Sequence, residues 1–319
     1  LFDLSQKFKI KIKSIFYNSF FRLKKTIYLL MTKGIIIPVL EKYENLLLFN
    51  IYNLRKLLGC TLPIELWQIG QELSMKTQSI LEDCRVNDNL SFQNVSDYTD
   101  NPKHWKGWQI KAFIMKNTKF DEVILCDCDS IFLQNPEIIF SDQNYIRTGS
   151  YFFKDWIKHE PFDRSTEFPA RKEFIKRLLP KKKLYFPEEW NWIYDIQDTV
   201  QPMWYYQESG VVYLNKKIHQ DVVETIYDLN NNYEETYKYI YGDKETFWLA
   251  FVINNKPFYM NEIHGENYKI NVNLPYYIND QNEVPNAFCH IYDEKFFFSQ
   301  KGCPIIVNAG NSKMKLSFH

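Results

Sequence analysis

The apolar run Val123-Ile124-Leu125-Cys126 passes directly into Asp127-Cys128-Asp129. A short apolar run in mid-chain reads as a strand buried on both faces. Side chains alternate along a strand, so the two acids leave its carboxyl end on one side. What precedes this strand fixes its setting. The run from Gly34 to Leu40 reads as a strand. Residues 43–58 carry Leu46, Leu47, Ile51, Leu54 and Leu58 at helical spacing and stop at Gly59. Residues 62–69 read as a second strand. A strand–helix–strand unit begins a parallel sheet with crossover connections, and open α/β sheets bind ligands outside their carboxyl strand ends. The fold class expected is therefore α/β, with a Rossmann-like mixed central sheet flanked by helices and a DxD motif at a strand end.

The remaining pattern extends this plan. Residues 83–103 are polar and read as loop, residues 105–116 as helix, and 140–153 as helix then strand. Residues 155–204 are charged, aromatic and Pro-containing, which suits a long excursion over an active site. A strand follows over 208–215, a helical region over 219–241 bent near Asn230, and a last helix opened by Gly242-Asp243. Strand and loop material fills 258–319. We expect a basic N-terminal stem or peripheral segment over 1–33 and one catalytic domain over 34–319. Its nucleotide-binding half would span about 34–150 and its acceptor half about 151–319.

The charges balance at 39 basic and 39 acidic residues, so no global field attracts nucleic acid, and an anionic ligand must be held locally. Residues 1–33 are the exception, with eight cations against Asp3. A basic stretch interleaved with apolar residues suits an anionic membrane surface, a stalk, or a peripheral element packed on the domain. No run of 18 apolar residues occurs, so no transmembrane helix is expected. With 45% hydrophobic residues the chain can bury a large core, which excludes a disordered or collagen-like chain. None of the six cysteines forms a CxxC pair, which argues against zinc. Asn89-Leu90-Ser91 and Asn94-Val95-Ser96 are sequons that matter only in a secretory lumen.

Two hard oxygen ligands at a strand end suit Mn2+ or Mg2+, and a divalent ion can hold a diphosphate. Three functions use this motif. One is a haloacid-dehalogenase-type phosphatase, with Asp127 as nucleophile and Gly242-Asp243 as a later acidic motif. In that class the DxD opens the domain, and Phe247 stands where a further acid would be wanted. The second is a nucleotide-sugar glycosyltransferase of the A type, in which a nucleotide-binding half precedes the DxD; the order of elements favours it. The third is a carbohydrate-binding protein of the same fold without turnover.

Several blocks together resemble the fungal α-mannosyltransferases of glycosyltransferase family 71. They are Lys33-Gly-Ile-Ile-Ile, Leu62-Pro-Ile-Glu65, Trp108-Gln-Ile-Lys-Ala112, residues 123–132 with the DxD, residues 148–155, Gln207-Glu-Ser-Gly-Val-Val-Tyr-Leu-Asn215 and Gly242-Asp-Lys-Glu-Thr-Phe-Trp248. More distantly the chain is similar to the glycogenin-like retaining transferases. The resemblance implies a GT-A fold, Mn2+ (or Mg2+) and retention of configuration. It also implies a nucleotide-sugar donor (GDP-mannose first, a UDP-hexose second), a glycan or glycoconjugate acceptor and a Golgi-lumen setting. Residues 1–33 lack the membrane anchor of the fungal members, and a cytoplasmic or viral origin stays open.

Roles follow from the residues and the resemblance together. Asp127 and Asp129 are the expected metal ligands, with His290 as the late histidine that completes such sites in relatives. Gly34, Ile35 and Ile36 would line the nucleoside pocket; Lys111, Cys128 and Lys295 complete the donor contacts. Asp243 and Glu208 are the catalytic candidates. Asp155, Ser209, Gly210 and Glu245 are expected at the sugar or acceptor. Of the eight tryptophans, Trp190 and Trp192 are the pair favoured for an acceptor cleft.

Overall fold

A computed structural model describes residues 31–83, 89–155, 171–178, 207–264, 266–269 and 286–300. The basic segment over 1–30, Trp190, Trp192 and the side chain of His290 lie outside the described residues. The elements are β1 (Lys33–Pro38), α1 (Glu44–Tyr52), β2 (Ile64–Gln68), α2 (Met75–Asp83), β3 (Leu90–Asn94), α3 (Ile110–Asn117), β4 (Glu122–Cys126) and β5 (Ile131–Phe132). There follow α4 (Gln143–Thr148), β6 (Ser150–Lys154), α5 (Arg171–Leu178), β7 (Gln207–Asn215), α6 (Gln220–Asn231), α7 (Tyr233–Thr236), α8 (Thr246–Ile253), β8 (Met260–His264), β9 (Glu266–Lys269), β10 (Asn286–Tyr292) and β11 (Lys295–Gln300).

Among the described residues seven strands form the central sheet, in the order β3-β2-β1-β4-β7-β6-β8. β1 is paired in parallel with both β2 and β4, and β7 runs antiparallel to β4 and β6. The sheet is therefore mixed, as expected. β3 is a correction: polar Leu90–Asn94 reads as loop in sequence, yet it pairs with β2 in parallel at the sheet edge. All five of its residues are half-buried. An edge position does not require the apolar run by which a central strand is recognised.

The alternation on the central strands sorts two cores. Ile36, Val123, Leu125, Val212 and Leu214 pack with α3, α6 and α8 on one face. Ile35, Ile37, Ile124, Cys126, Val211 and Tyr213 pack with α1 and the second sheet, β5-β11-β10-β9, on the other. The sequence from Tyr43 to Leu58 does form one helical stretch, α1 continued by a π turn over Asn53–Leu57. No helix among the described residues is long and apolar enough to cross a membrane.

Gly34 shows how tightly the first core is filled. A Cβ built there would lie 2.2 Å from the ring of Phe120, which is itself 2% exposed. Gly34→Ala should cost about 1–3 kcal/mol through overpacking. Urea unfolding is the measurement.

Candidate active site

The sheet topology gathers the acids. Asp127 continues β4, whose partner β7 is antiparallel, so the start of β7 meets the end of β4: the Asp127 amide donates to the carbonyl of Gly210 at 2.8 Å. β6 is antiparallel to β7 in turn, pairing Phe153 with Glu208 and Lys154 with Gln207. Asp155, directly after β6, therefore arrives at the same edge. The loop before α8 brings Asp243 and Lys244 over it.

Lys111 on α3 is the hub of one half. Its side chain is 7% exposed, and its ammonium lies 2.8 Å from Asp127 Oδ2 and 3.5 Å from Asp243 Oδ2. It also donates to the carbonyl and hydroxyl oxygens of Ser209, at 3.1 and 3.3 Å. Burial alone would lower its pKa, but Asp127 and Asp243 hold it above the ordinary lysine value. Among the described residues Asp243 Oδ2 is buried and has no hydrogen-bond partner; its contact with Lys111, at 3.5 Å, is one of charge. Asp243 does not cap α8, because Glu245 holds that position and Asp243 contributes only its carbonyl to the Thr246 amide.

Lys244 is the hub of the other half. Its ammonium donates to Asp155 Oδ2 at 2.7 Å and Glu208 Oε2 at 2.8 Å. The second oxygen of Glu208 accepts from the Gly210 amide at 2.8 Å. Glu208 is thus gripped on both sides and ties the Lys244 half to the backbone that holds Asp127. Both neighbouring carboxylates keep Lys244 charged despite burial.

Five carboxylates (Asp127, Asp129, Asp155, Glu208 and Asp243) and two ammonium groups thus share one strand-end region. The negative surplus is visible in the acids' titration. Burial pushes Asp127 up to about 7; Lys111 pulls the other way, while Asp129 and Asp243 add to the rise. Burial likewise raises Asp129, with Glu208 adding to it, and burial raises Asp243. A buried cluster short of positive charge, with hard oxygen donors, fits a divalent cation that takes its other ligands from water and phosphate. Asp127 and Asp129 are the residues that would hold it, and 26% of the Asp127 side chain is exposed. Among the described residues no three His, Cys, Asp or Glu form a metal-type cluster. The backbone of His290 sits in β10 opposite Phe298, which pairs with Phe132 just past the DxD.

Several sequence expectations do not survive the geometry. Gly34 pairs with Val123, at the opposite end of the strands from Asp127, and Ile35 and Ile36 are fully buried. The strand-end position on β1 belongs to Pro38 and Val39. The apolar run marks the strand without saying which of its residues reaches the rim. Cys128 packs into the core face opposite Asp127, is 2% exposed, and has its thiol pushed by burial up to about 12. It is a spacer that turns the chain. Lys295 lies exposed beside the Asp293–Glu294 turn, at the end of β11 away from the DxD. β11 meets β5 at its other end, through Phe298 and Ser299. Glu245 is 1% exposed and accepts from the Trp248 indole N–H, so it serves the packing of α8.

Asp127, Asp155, Glu208, Ser209, Gly210, Asp243 and Lys111 are brought together as the sequence suggests. Lys244 was missed as a site residue because it reads as an ordinary first-turn helix cation. Two residues before it stands Gly242, whose φ of +61° marks a turn.

The mixed central sheet flanked by helices is the fold class expected, and two acids follow the end of β4 with acids from the adjoining strand ends facing them. Residues 32–270 match the family Mannosyl_trans3, described as "Mannosyltransferase putative", and the chain belongs to that family. Among curated proteins it is 30% identical over 174 residues to "Putative alpha-1,3-mannosyltransferase MNN12" of Candida albicans, covering 54% of this chain and 20% of that protein. It is 28% identical over 257 residues to "Putative alpha-1,3-mannosyltransferase MNN14" of the same species, covering 75% and 34%. With "Alpha-1,3-mannosyltransferase MNT2" of Saccharomyces cerevisiae it shares 23% over 188 residues, covering 56% and 33%. The chain thus spans between a fifth and about a third of these relatives. Among solved structures, the S. cerevisiae mannosyltransferase Ktr4p gives a TM-score of 0.44 at 11% identity, covering 70% of this chain and 66% of that one. The galactosyltransferase LgtC, in complex with donor and acceptor sugar analogs, gives 0.39 at 12%, covering 70% of each.

Proposed function

We propose that the chain is a metal-dependent retaining hexosyltransferase that moves mannose from GDP-mannose to a glycan. The observation that carries this reading is the two-lysine, five-carboxylate cluster at the strand ends, in a chain of the mannosyltransferase family. Asp127 and Asp129 would hold Mn2+ or Mg2+, which neutralises charge on the leaving diphosphate. Lys111 opposes the rise that burial imposes on Asp127 and Asp243, and its ammonium is at hand for donor oxygens. Asp155, Glu208 and Lys244 form a locked set suited to sugar hydroxyls.

In the transfer the bond from the anomeric carbon to phosphate breaks, and a bond to an acceptor hydroxyl forms. The acceptor's proton ends on the departing diphosphate or on a carboxylate. Retention is open to two routes: Asp243 attacks first and is displaced, or acceptor and leaving group exchange on one face. An Asp243 carboxyl held in charge contact with Lys111 suits either, as nucleophile or as a charge beside the developing cation. The compartment inferred is the Golgi lumen, on the strength of the family alone. The phosphatase reading has no comparable support in the family match.

The test is incubation with Mn2+, an α-mannoside and a donor panel of GDP-mannose, UDP-glucose, UDP-galactose and UDP-N-acetylglucosamine. The expected outcome is α-linked product by NMR, formed fastest from GDP-mannose and abolished by EDTA. Failure to bind any nucleoside diphosphate with Mn2+ present would sink the reading.

A further inference from the structure

We propose that Trp108 and Tyr241 form an acceptor subsite, a platform for one face of a neutral pyranose ring beside Asp243; this rests on the transferase reading above. Trp108 is 50% exposed and Tyr241 42%. Their ring centroids are 5.2 Å apart with planes 38° from parallel, and Tyr237 adds a third ring 6.3 Å from Trp108.

The platform is built rather than incidental. The Trp108 ring lies on the backbone of Gly242: a Cβ there would come within 2.5 Å of Trp108 Cε3. Gly242 also has φ +61°, a conformation that L side chains rarely adopt, so the turn needs glycine twice over. Tyr237 is fixed by its hydroxyl, which donates to Asn230 Oδ1 at 2.6 Å, and Asn230 in turn donates to Thr246 at 2.9 Å. One side of the indole is therefore seated on protein while half of the residue stays in water.

Both supports run straight into the candidate chemistry. The Trp108 carbonyl accepts from the amide of Lys111, whose ammonium touches Asp127, and Gly242 immediately precedes Asp243. Large aromatic faces with polar tips bind the C–H faces of sugars while leaving hydroxyls free for other partners. The sequence favoured Trp190 and Trp192 for this role; Trp108 is a tryptophan whose ring the fold seats on Gly242, the residue before Asp243.

The experiment compares wild type with Trp108→Ala, Trp108→Phe and Tyr241→Ala, each checked for folding by thermal melting. The probe is α-mannobiose, titrated by saturation-transfer NMR with GDP and Mn2+ present. Trp108→Ala should weaken α-mannobiose at least tenfold, with Trp108→Phe and Tyr241→Ala intermediate. The Kd for GDP with Mn2+ should change less than twofold. Unchanged α-mannobiose affinity in folded Trp108→Ala would overturn the proposal. So would equal losses of α-mannobiose and GDP in all three variants, which would assign the rings to holding the Asp243 turn. If Trp108→Ala does not fold, Tyr241→Ala alone decides. A wild type that binds α-mannobiose through these rings but never binds a nucleoside diphosphate would keep the platform and sink the donor reading.

Discussion

Asp129→Ala is expected to abolish Mn2+-dependent GDP binding and to cut transfer at least about a thousandfold, the scale of several kcal/mol that a divalent ion contributes to phosphoryl-charge stabilisation. The same variant should be no less stable than wild type without metal. Asp129 is raised by burial and helps to raise Asp127, which sits at about 7 against an ordinary value of 3.8. Removing one of two crowded carboxylates lets the other ionise more easily. Stability and function therefore move in opposite directions at this position, which a merely structural aspartate would not show. Titration of GDP by calorimetry with Mn2+, beside thermal melting in EDTA, reads both. Normal turnover, or an unchanged Mn2+-dependent GDP isotherm, would remove Asp129 from the site.

The legible part of the site was the part carried by strand alternation. Val123 and Leu125 face one core and Ile124 and Cys126 the other, so the side on which Asp127 leaves the strand could be read before any coordinate. The same alternation also condemns Cys128, which continues the parity of Ile124 and Cys126 into the opposite core. What alternation cannot supply is strand order. Asp155 and Glu208 lie 53 positions apart, and both reach Lys244 because β6 and β7 are antiparallel neighbours with Phe153 opposite Glu208. Lys295 fails for the converse reason: its position in a turn near the C-terminus looked suitable, but the pairing of Phe298 with Phe132 sends it away from the DxD. Gly34 fails because a glycine at a strand end has two explanations, ligand approach and close packing, and the Phe120 ring decides for packing.

Lys111→Met should destabilise the fold by about 3–5 kcal/mol at pH 8, the usual result of leaving a buried charge without its partner. The deficit should depend on pH, and its sign is fixed. Burial already pushes Asp127 and Asp243 above the ordinary value of 3.8, and Lys111 is the largest of the influences holding each one down. Without Lys111 both rise further. A carboxyl whose folded-state pKa is raised takes up a proton on folding, so it favours the folded state below that pKa and disfavours it as pH climbs through it. The deficit should therefore be smaller at pH 5.5 than at pH 8. Mn2+, bringing positive charge to Asp127, should raise the melting temperature of Lys111→Met more than that of wild type. Urea unfolding at the two pH values, with and without Mn2+, measures all of this. A deficit equal at both pH values and indifferent to Mn2+ would mean that Lys111 acts through its packed methylenes alone. The charge balance assigned to the cluster would then fail, and with it the role of Lys111 in opposing the rise of Asp127 and Asp243.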